Sequence, residues 1–310
     1  EKAIPIPIND NRDEAATQLG LKEDGWHPQT CLTVQRSGKF GDGRAILYVF
    51  LILLLVVALS GCGTLPNGNR WGQDAFYPID LDRVSQAAHD AFFNVNTLAP
   101  LAGAMVFAVD DFDERASDWA VKHTPIFGSP GDAKDASDDL RAALEAEAVI
   151  TALLTPSGDT LEEWIVSKGK GAAVELLAAG ATDNITSWLK SGTNRTRPDE
   201  TSDRSFPSNH ASEAFAFATL SNRNVDSIDM PAALRPAVKT GNLALASGVA
   251  WARVEGRRHY PSDVLAGAAL GHFLTAFIHD AFLNLPEDRD VELAVFAVRG
   301  GAGVELALRF

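Results

Sequence analysis

The sequence predicts a mostly α-helical bundle followed by a small C-terminal β-hairpin, and three observations carry that expectation. Apolar residues recur at helical spacing through most of the chain beyond residue 80. Pro207, Pro231 and Pro261 each stand where a proline opens a helix instead of breaking one. Alternation of apolar and polar residues is confined to the C-terminal end. At 310 residues, 46% apolar and 22% charged, the chain has material for one large or two ordinary domains with a buried core. That composition excludes general disorder and a small disulfide scaffold.

Residues 1–43 are polar and unpatterned and read as a disordered leader or a mis-assigned upstream extension. From Ala45 to Leu59, fifteen residues carry no charge, with Arg36, Lys39 and Arg44 before them and Ser60-Gly61-Cys62 after. A bilayer span needs about 20 residues, so the pattern fits a secretory signal over 44–61 with a small-residue cleavage site. Leu59-Ser60-Gly61-Cys62 resembles a bacterial lipobox, which implies a lipidated Cys62 at the mature N-terminus. The implied location is the bacterial cell envelope, lipid-anchored and facing the periplasm or the exterior. An uncleaved anchor helix and a buried core helix are the alternatives, the second disfavoured because the run has no polar face. Cys31 and Cys62 are the only cysteines, so neither a disulfide framework nor a cysteine metal cluster supports the fold.

Residues 62–77 read as a polar linker and 78–285 as the helical domain. Val84, Ala87, Ala88 and Phe92 mark a helix over 81–94, and an apolar run follows at 97–109. Asp110-Asp111-Phe112-Asp113-Glu114 reads as the start of a helix ending before Thr124-Pro125, a reading favoured over a calcium loop because the remaining ligand pattern is missing. Asp135 to Leu154 is a long helix, Asp159 or Thr160 caps another segment, and Gly169 to Leu189 is a further apolar helix. The three prolines imply helices over about 207–221, 231–253 and 261–284. No segment of this domain reaches 18 uninterrupted apolar residues, which predicts a bundle in water instead of a multi-span membrane protein. Over 286–310, Val304, Leu306, Leu308 and Phe310 alternate with Glu305, Ala307 and Arg309 after a glycine-rich turn, predicting the hairpin.

The formal charge is −14. The first 61 residues hold six basic and seven acidic side chains, leaving 21 basic, 34 acidic and a charge of −13 on the remainder. That sign excludes a nucleic-acid partner held through its phosphates. Against this background, ten of those 21 cations fall between Lys190 and Asp263, a span that holds three clusters: Lys190 to Pro198, Phe206 to His210, and Arg253 to Asp263. Arginine forks and a lysine point charge suit a small dianion. Pro207 at a first helical position would leave the N–H groups of Ser208, Asn209 and His210 near a helix N-terminus, a second anion site. His259 and Asp263, four residues apart, allow the carboxylate to accept one ring N–H and leave the other nitrogen as nucleophile or base.

Taken in order, Lys-x6-Arg-Pro, Pro-Ser-x-His and Arg-x5-His-x3-Asp resemble the signature of the type 2 phosphatidic acid phosphatase superfamily, which also holds bacterial acid phosphatases and vanadium haloperoxidases. The resemblance covers about Asp110 to Leu283. It implies the superfamily's helical bundle and metal-independent hydrolysis of phosphate monoesters or diphosphates, lipid-linked ones included. Carried over residue by residue, Lys190, Arg197 and Arg253 would hold the phosphoryl oxygens, with Ser208 and the backbone N–H of Asn209. His259 would form the phosphohistidine, oriented by Asp263, and His210 would protonate the leaving group. Two positions depart from the pattern, Asn209 for glycine and Ala252 for serine, and neither removes a reacting atom. A haloperoxidase holding vanadate in the same cradle, and a non-catalytic lipoprotein that binds a phosphorylated lipid or an envelope partner, are the alternative functions. Arg195, Arg204, Arg257 and Arg258 read as rim charges, and His123, His272 and His279 as surface or core residues.

Overall fold

The computed structural model describes residues 61–283 and 285, with the backbone of 291–298 and 301–308. The leader, the signal and Cys31 lie outside the described residues. Eight helices follow in order among the described residues: α1 Leu81–Phe93, α2 Val95–Phe107, α3 Phe112–His123, α4 Pro130–Leu154, α5 Leu161–Thr193, α6 Asn209–Ser227, α7 Leu234–Glu255 and α8 Pro261–Leu283. β1 Val291–Val298 and β2 Gly301–Leu308 pair antiparallel, with Val291 opposite Leu308 and Val298 opposite Gly301.

Local chemistry explains most helix starts. Asp80 and Asn94 accept the N–H groups of Asp82 and Asn96, and Ser129 accepts that of Asp132, just ahead of Pro130. Thr160 and Glu163 form a reciprocal capping box that opens α5. That helix runs unbroken for 33 residues, where sequence patterning splits it in two. Gly171 is not a break: a Cβ there would meet the Trp71 ring at 2.1 Å, so the glycine seats the tryptophan.

Trp71 also overturns the linker over 62–77. It is fully buried, its backbone N–H donates to Pro156 O at 2.8 Å, and the Phe76 backbone N–H donates to Phe282 O at 2.8 Å. The segment is built into the bundle, with Gly63 and Gly158 paired as an isolated bridge and Cys62 exposed. Two prolines also act differently from expectation. Pro207 precedes the Ser208 cap of α6, and Pro231 precedes a turn before α7; Pro261 alone of the three begins its helix.

α8 is the hub, packing against α1, α2, α5 and α6. One apolar cluster joins α4, α6, α7 and α8 through Leu144, Ala211, Phe215, Val249 and Val264, and a second gathers Trp71, Val174, Leu220 and Ile278. Among the described residues, α8 is the one helix long and apolar enough by length and composition to cross a membrane, with 67% of its apolar window buried inside the bundle; α2 and α3 meet that test only as a pair bent by 96°. Scattered Ser, Thr and His keep the apolar run of α8 short of 18 uninterrupted residues while leaving it apolar on average.

Candidate active site

The third cluster folds back on the end of α7. Arg258 and His259 both donate their backbone N–H to Arg253 O, at 3.0 and 3.2 Å, and this turn buries the His259 ring to 1% exposure just ahead of α8. Nδ1 of His259 lies 2.7 Å from the carbonyl oxygen of Ser205. A carbonyl only accepts, so Nδ1 carries the proton and Nε2 keeps a bare lone pair. The direct hydrogen bond to Asp263 expected from the four-residue spacing is not the shortest contact: Oδ2 stands 3.8 Å from Nδ1. Asp263 instead reaches the imidazole through Ser205, whose hydroxyl donates to Oδ2 at 2.5 Å, while Tyr260 N–H donates to the same oxygen at 2.9 Å.

Burial, with the charges of Lys190 and Arg253, outweighs Asp263 and takes the His259 pKa down to about 4. The ring is neutral at neutral pH, the form a nucleophile requires. For Asp263 burial pushes upward, but His259, Arg195 and Ser205 together hold the carboxyl below its ordinary value.

The three cations arrive from separate elements. Lys190 sits in the last turn of α5, 6% exposed, where burial and then the charges of Arg197 and Arg204 bring its pKa down to about 8. Arg197 lies in the loop after α5, in a turn closed by its N–H to Ser202 O at 2.9 Å; burial and Arg258 lower its pKa. Arg253, in the last turn of α7, donates to Ser137 Oγ at 3.0 Å, and burial with Arg258 brings its pKa to about 10. Lys190 feels both arginines and Arg253 feels Arg197, so the fold brings the three within electrostatic reach of one another. The Nε atoms of Arg197 and Arg253 are buried without a hydrogen-bond partner.

The second cluster opens α6. Ser208 caps the helix, accepting the Ala211 N–H at 3.4 Å, and its own N–H donates to Asp263 O at 3.0 Å. That N–H is committed to α8, which corrects the expectation that it helps form an open anion site. The Asn209 side chain turns to α5 and donates to Asp183 Oδ1 at 3.1 Å. His210 Nε2 lies 2.8 Å from Asp138 Oδ1, and burial with Arg253 takes its pKa to about 4.

Sequence reasoning missed four residues here. Arg195, read as a rim charge, pairs with Asp263 at 2.8 Å and Asp113 at 2.7 Å. Asp113, read as part of a helix start, is buried and bonds across to α8; the N-cap position belongs to Asp111, which makes no side-chain cap bond. Ser205 and Asp138 hold the two histidines, and no spacing in the sequence signals either. Arg258 pairs with Asp199 at 2.7 Å and Arg257 donates to Pro198 O at 3.2 Å, clasping the third cluster to the first. His272 meets Thr97 Oγ1 at 2.8 Å as a core residue. Among the described residues no group of three or more His, Cys, Asp or Glu is placed to hold a metal ion. A cavity of about 600 Å³ lined by Arg83, Arg223, His279 and Asp280 contains none of the motif residues and lies about 24 Å along α8 from Asp263.

The PAP2 superfamily model matches residues 172–286, a span that contains all three clusters. A lipid A 1-phosphatase of Porphyromonas gingivalis is 33% identical over 105 residues, which is 34% of this chain and 22% of that protein. The chain thus matches only about a fifth of that relative's length. The crystal structure of the transmembrane PAP2 type phosphatidylglycerolphosphate phosphatase from Bacillus subtilis matches with a TM-score of 0.47 and 21% identity, over 62% of this chain and 94% of that one. Lys190, Arg197, Ser208, His210, Arg253, His259 and Asp263 all lie inside the matched span, so the chain is similar to the PAP2 superfamily across residues 172–286.

Proposed function

We propose that this protein is a phosphoric ester hydrolase acting on lipid-linked phosphate monoesters or diphosphates in a bacterial envelope, through a phosphohistidine on His259. The observation that carries the reading is the buried, neutral His259 ring, with its proton fixed on Nδ1 by Ser205 and its Nε2 lone pair unengaged. Lys190, Arg197 and Arg253 supply the fixed positive charge that phosphoryl transfer needs, without calling on a metal ion. Nε2 attacks phosphorus in line as the bond to the leaving oxygen breaks. His210 gives that oxygen a proton from Nδ1, since Nε2–H faces Asp138. A bound dianion and the Asp138 charge both favour the imidazolium that this step consumes. Water then attacks the phosphohistidine with His210 as base, releasing phosphate and restoring neutral His259.

The match to a lipid A 1-phosphatase supports a lipid-linked substrate, and the lipobox reading adds an anchor at Cys62. His259→Ala should reduce hydrolysis of an aryl phosphate to background while the helical circular dichroism is unchanged; undiminished turnover in a folded variant overturns the assignment. A panel of phosphatidic acid, an isoprenoid diphosphate, a nucleotide and an aryl phosphate tests the substrate class, and a preference for the two soluble esters overturns the lipid-linked part.

A further inference from the structure

We propose that Asp113 and Arg195 are positioning residues that work as one unit through Asp263 and Ser205 to fix the His259 ring for attack. This rests on the reading of His259 as the nucleophile. The Arg195 fork spans two carboxylates: Nη1 donates to Asp263 Oδ1 at 2.8 Å and to Ser262 Oγ at 2.7 Å, and Nη2 donates to Asp113 Oδ2 at 2.7 Å. Its guanidinium lies 4.3 Å from the centre of the Tyr260 ring. With both ends engaged and one face against an aromatic ring, Arg195 is occupied as a brace and not presented to phosphoryl oxygens, unlike Arg197 and Arg253.

The connections close on themselves. Arg195 O accepts Ser205 N–H at 2.8 Å, Ser205 O accepts the His259 Nδ1 proton at 2.7 Å, Ser205 Oγ donates to Asp263 Oδ2 at 2.5 Å, and Asp263 Oδ1 accepts Arg195. Every member of this ring is therefore set by another, and the imidazole hangs from it by its one N–H. Asp113, 3% exposed, ties the ring to α3: it accepts Ser262 N–H at 2.8 Å, the Ser262 hydroxyl, and Arg195 Nη2. Removing its charge leaves one end of the half-buried Arg195 guanidinium unmatched and frees the first turn of α8, which holds Asp263. Lysine cannot bridge both carboxylates, because its single ammonium lacks the fork. A brace that orients the nucleophile lowers the rate of the chemical step more than it weakens substrate binding.

The test uses the full chain with Asp113→Asn, Arg195→Lys and the double variant. For an aryl phosphate, each single variant should lower kcat at least tenfold with KM within threefold of the parent, and the double variant should be no worse than the worse single, as expected of groups acting as a unit. Unchanged kcat in a folded variant, additive losses, or a raised KM with kcat intact each overturn the proposal, the last because it makes Arg195 a substrate ligand. If Asp113→Asn does not fold, Arg195→Lys carries the kinetic test, since that side chain is 29% exposed. A second readout is independent of turnover: 15N NMR of labelled histidine should report the Nδ1–H form for His259 in the parent and a mixture of ring forms in the variants. If His259→Ala leaves turnover intact, the nucleophile reading fails alone; an unchanged His259 ring form in the folded variants overturns the brace itself.

Discussion

Replacing Gly271 by alanine should force apart α6, which begins with Asn209 and His210, and α8, which holds Asp263 just after His259. α8 turns Asp263, Gly267 and Gly271 toward α6 at four-residue intervals, and the α6 backbone runs directly over them. A Cβ on Gly271 would sit 2.1 Å from Ser212 O and 2.9 Å from Ser212 C; one on Gly267 would sit 2.6 Å from Ser208 O. These are main-chain atoms, so no rotamer change relieves the clash. Reaching even a tight contact requires the helices to separate by about 1 Å at Gly271 and about half that at Gly267, and overpacking of this kind costs about 1–3 kcal/mol. Alanine returns about 1 kcal/mol of helix propensity. At the upper end of that range the net loss is about 2 kcal/mol, or a fall in Tm of about 4–8 °C for a domain of this size. Ser208 N–H is bonded to Asp263 O at this crossing, so the shift also moves His210 relative to His259, and a misplacement near 1 Å lowers kcat about 100-fold. Thermal melts and aryl phosphate turnover measure both effects. Gly180→Ala is the control: its Cβ meets nothing within 4 Å, and its Tm should hold or rise. Parent values of Tm and kcat in Gly271→Ala would refute the close crossing.

Two further outcomes follow from titrating groups. With His259 and His210 at about 4 and Lys190 at about 8, kcat/KM should fall below about pH 4 as His259 is protonated, decline above it as His210 loses its proton, and fall more steeply above about pH 8; Lys190→Arg should abolish that last break, and a break persisting near 8 assigns it elsewhere. Because the folded His259 pKa lies below the ordinary 6.5, the unfolded chain binds the extra proton in between, so stability should decline as pH falls from about 6.5 to about 4; urea unfolding midpoints across that range measure it, and a midpoint that does not fall with pH refutes the shift. Lys168 donates to Ala152 O and Thr155 O, both at 2.5 Å, and to Thr155 Oγ1 at 2.6 Å, closing the end of α4. Lys168→Met removes these bonds, leaving Ala152 O to the Thr155 hydroxyl and Thr155 O to the Ser157 hydroxyl, and should cost about 1–2 kcal/mol, with a fall in Tm but an unchanged kcat at low temperature, since Lys168 touches none of the site residues; a Tm equal to the parent's refutes this.

The helices were legible because their starts are written locally, in Asp80, Asn94, Ser129 and the Thr160/Glu163 box, and their bodies in apolar periodicity. The two elements misread were decided by packing at a distance. Nothing near Gly171 announces that Trp71, a hundred residues earlier, needs its missing Cβ, so α5 looked interrupted and 62–77 looked like a linker. The same division holds at the site. Lys190, Arg197, His210, Arg253 and His259 announce themselves by residue type at fixed spacing within three short segments. Asp113, Asp138 and Ser205 do not, because their roles arise only when α3 and the loop before α6 fold against α8 and α4 folds against α6. Arg195 was visible but mis-sorted, since sequence shows a cation without showing its counter-ions.

The direction of the pKa shift sorts the arginines that spacing could not. Arg195, between Asp113 and Asp263, is held above its ordinary value even though burial pushes it down. Arg197 and Arg253 are lowered, chiefly by burial and then by Arg258, and each keeps a buried Nε without a partner. Arginines of the first kind have already met their carboxylates and serve as struts. Those of the second kind, with Lys190, repel one another in a poorly solvated place, and the hydroxyl of Ser137 is all that Arg253 gains there by direct hydrogen bonding among the described residues. Mutual repulsion of this sort is tolerated because the surrounding helices over-determine the geometry, and an entering dianion relieves it. The chain's net charge of −14 therefore says little about the pocket: carboxylates are spent on the struts, and the charge left unmatched is positive where phosphorus would sit.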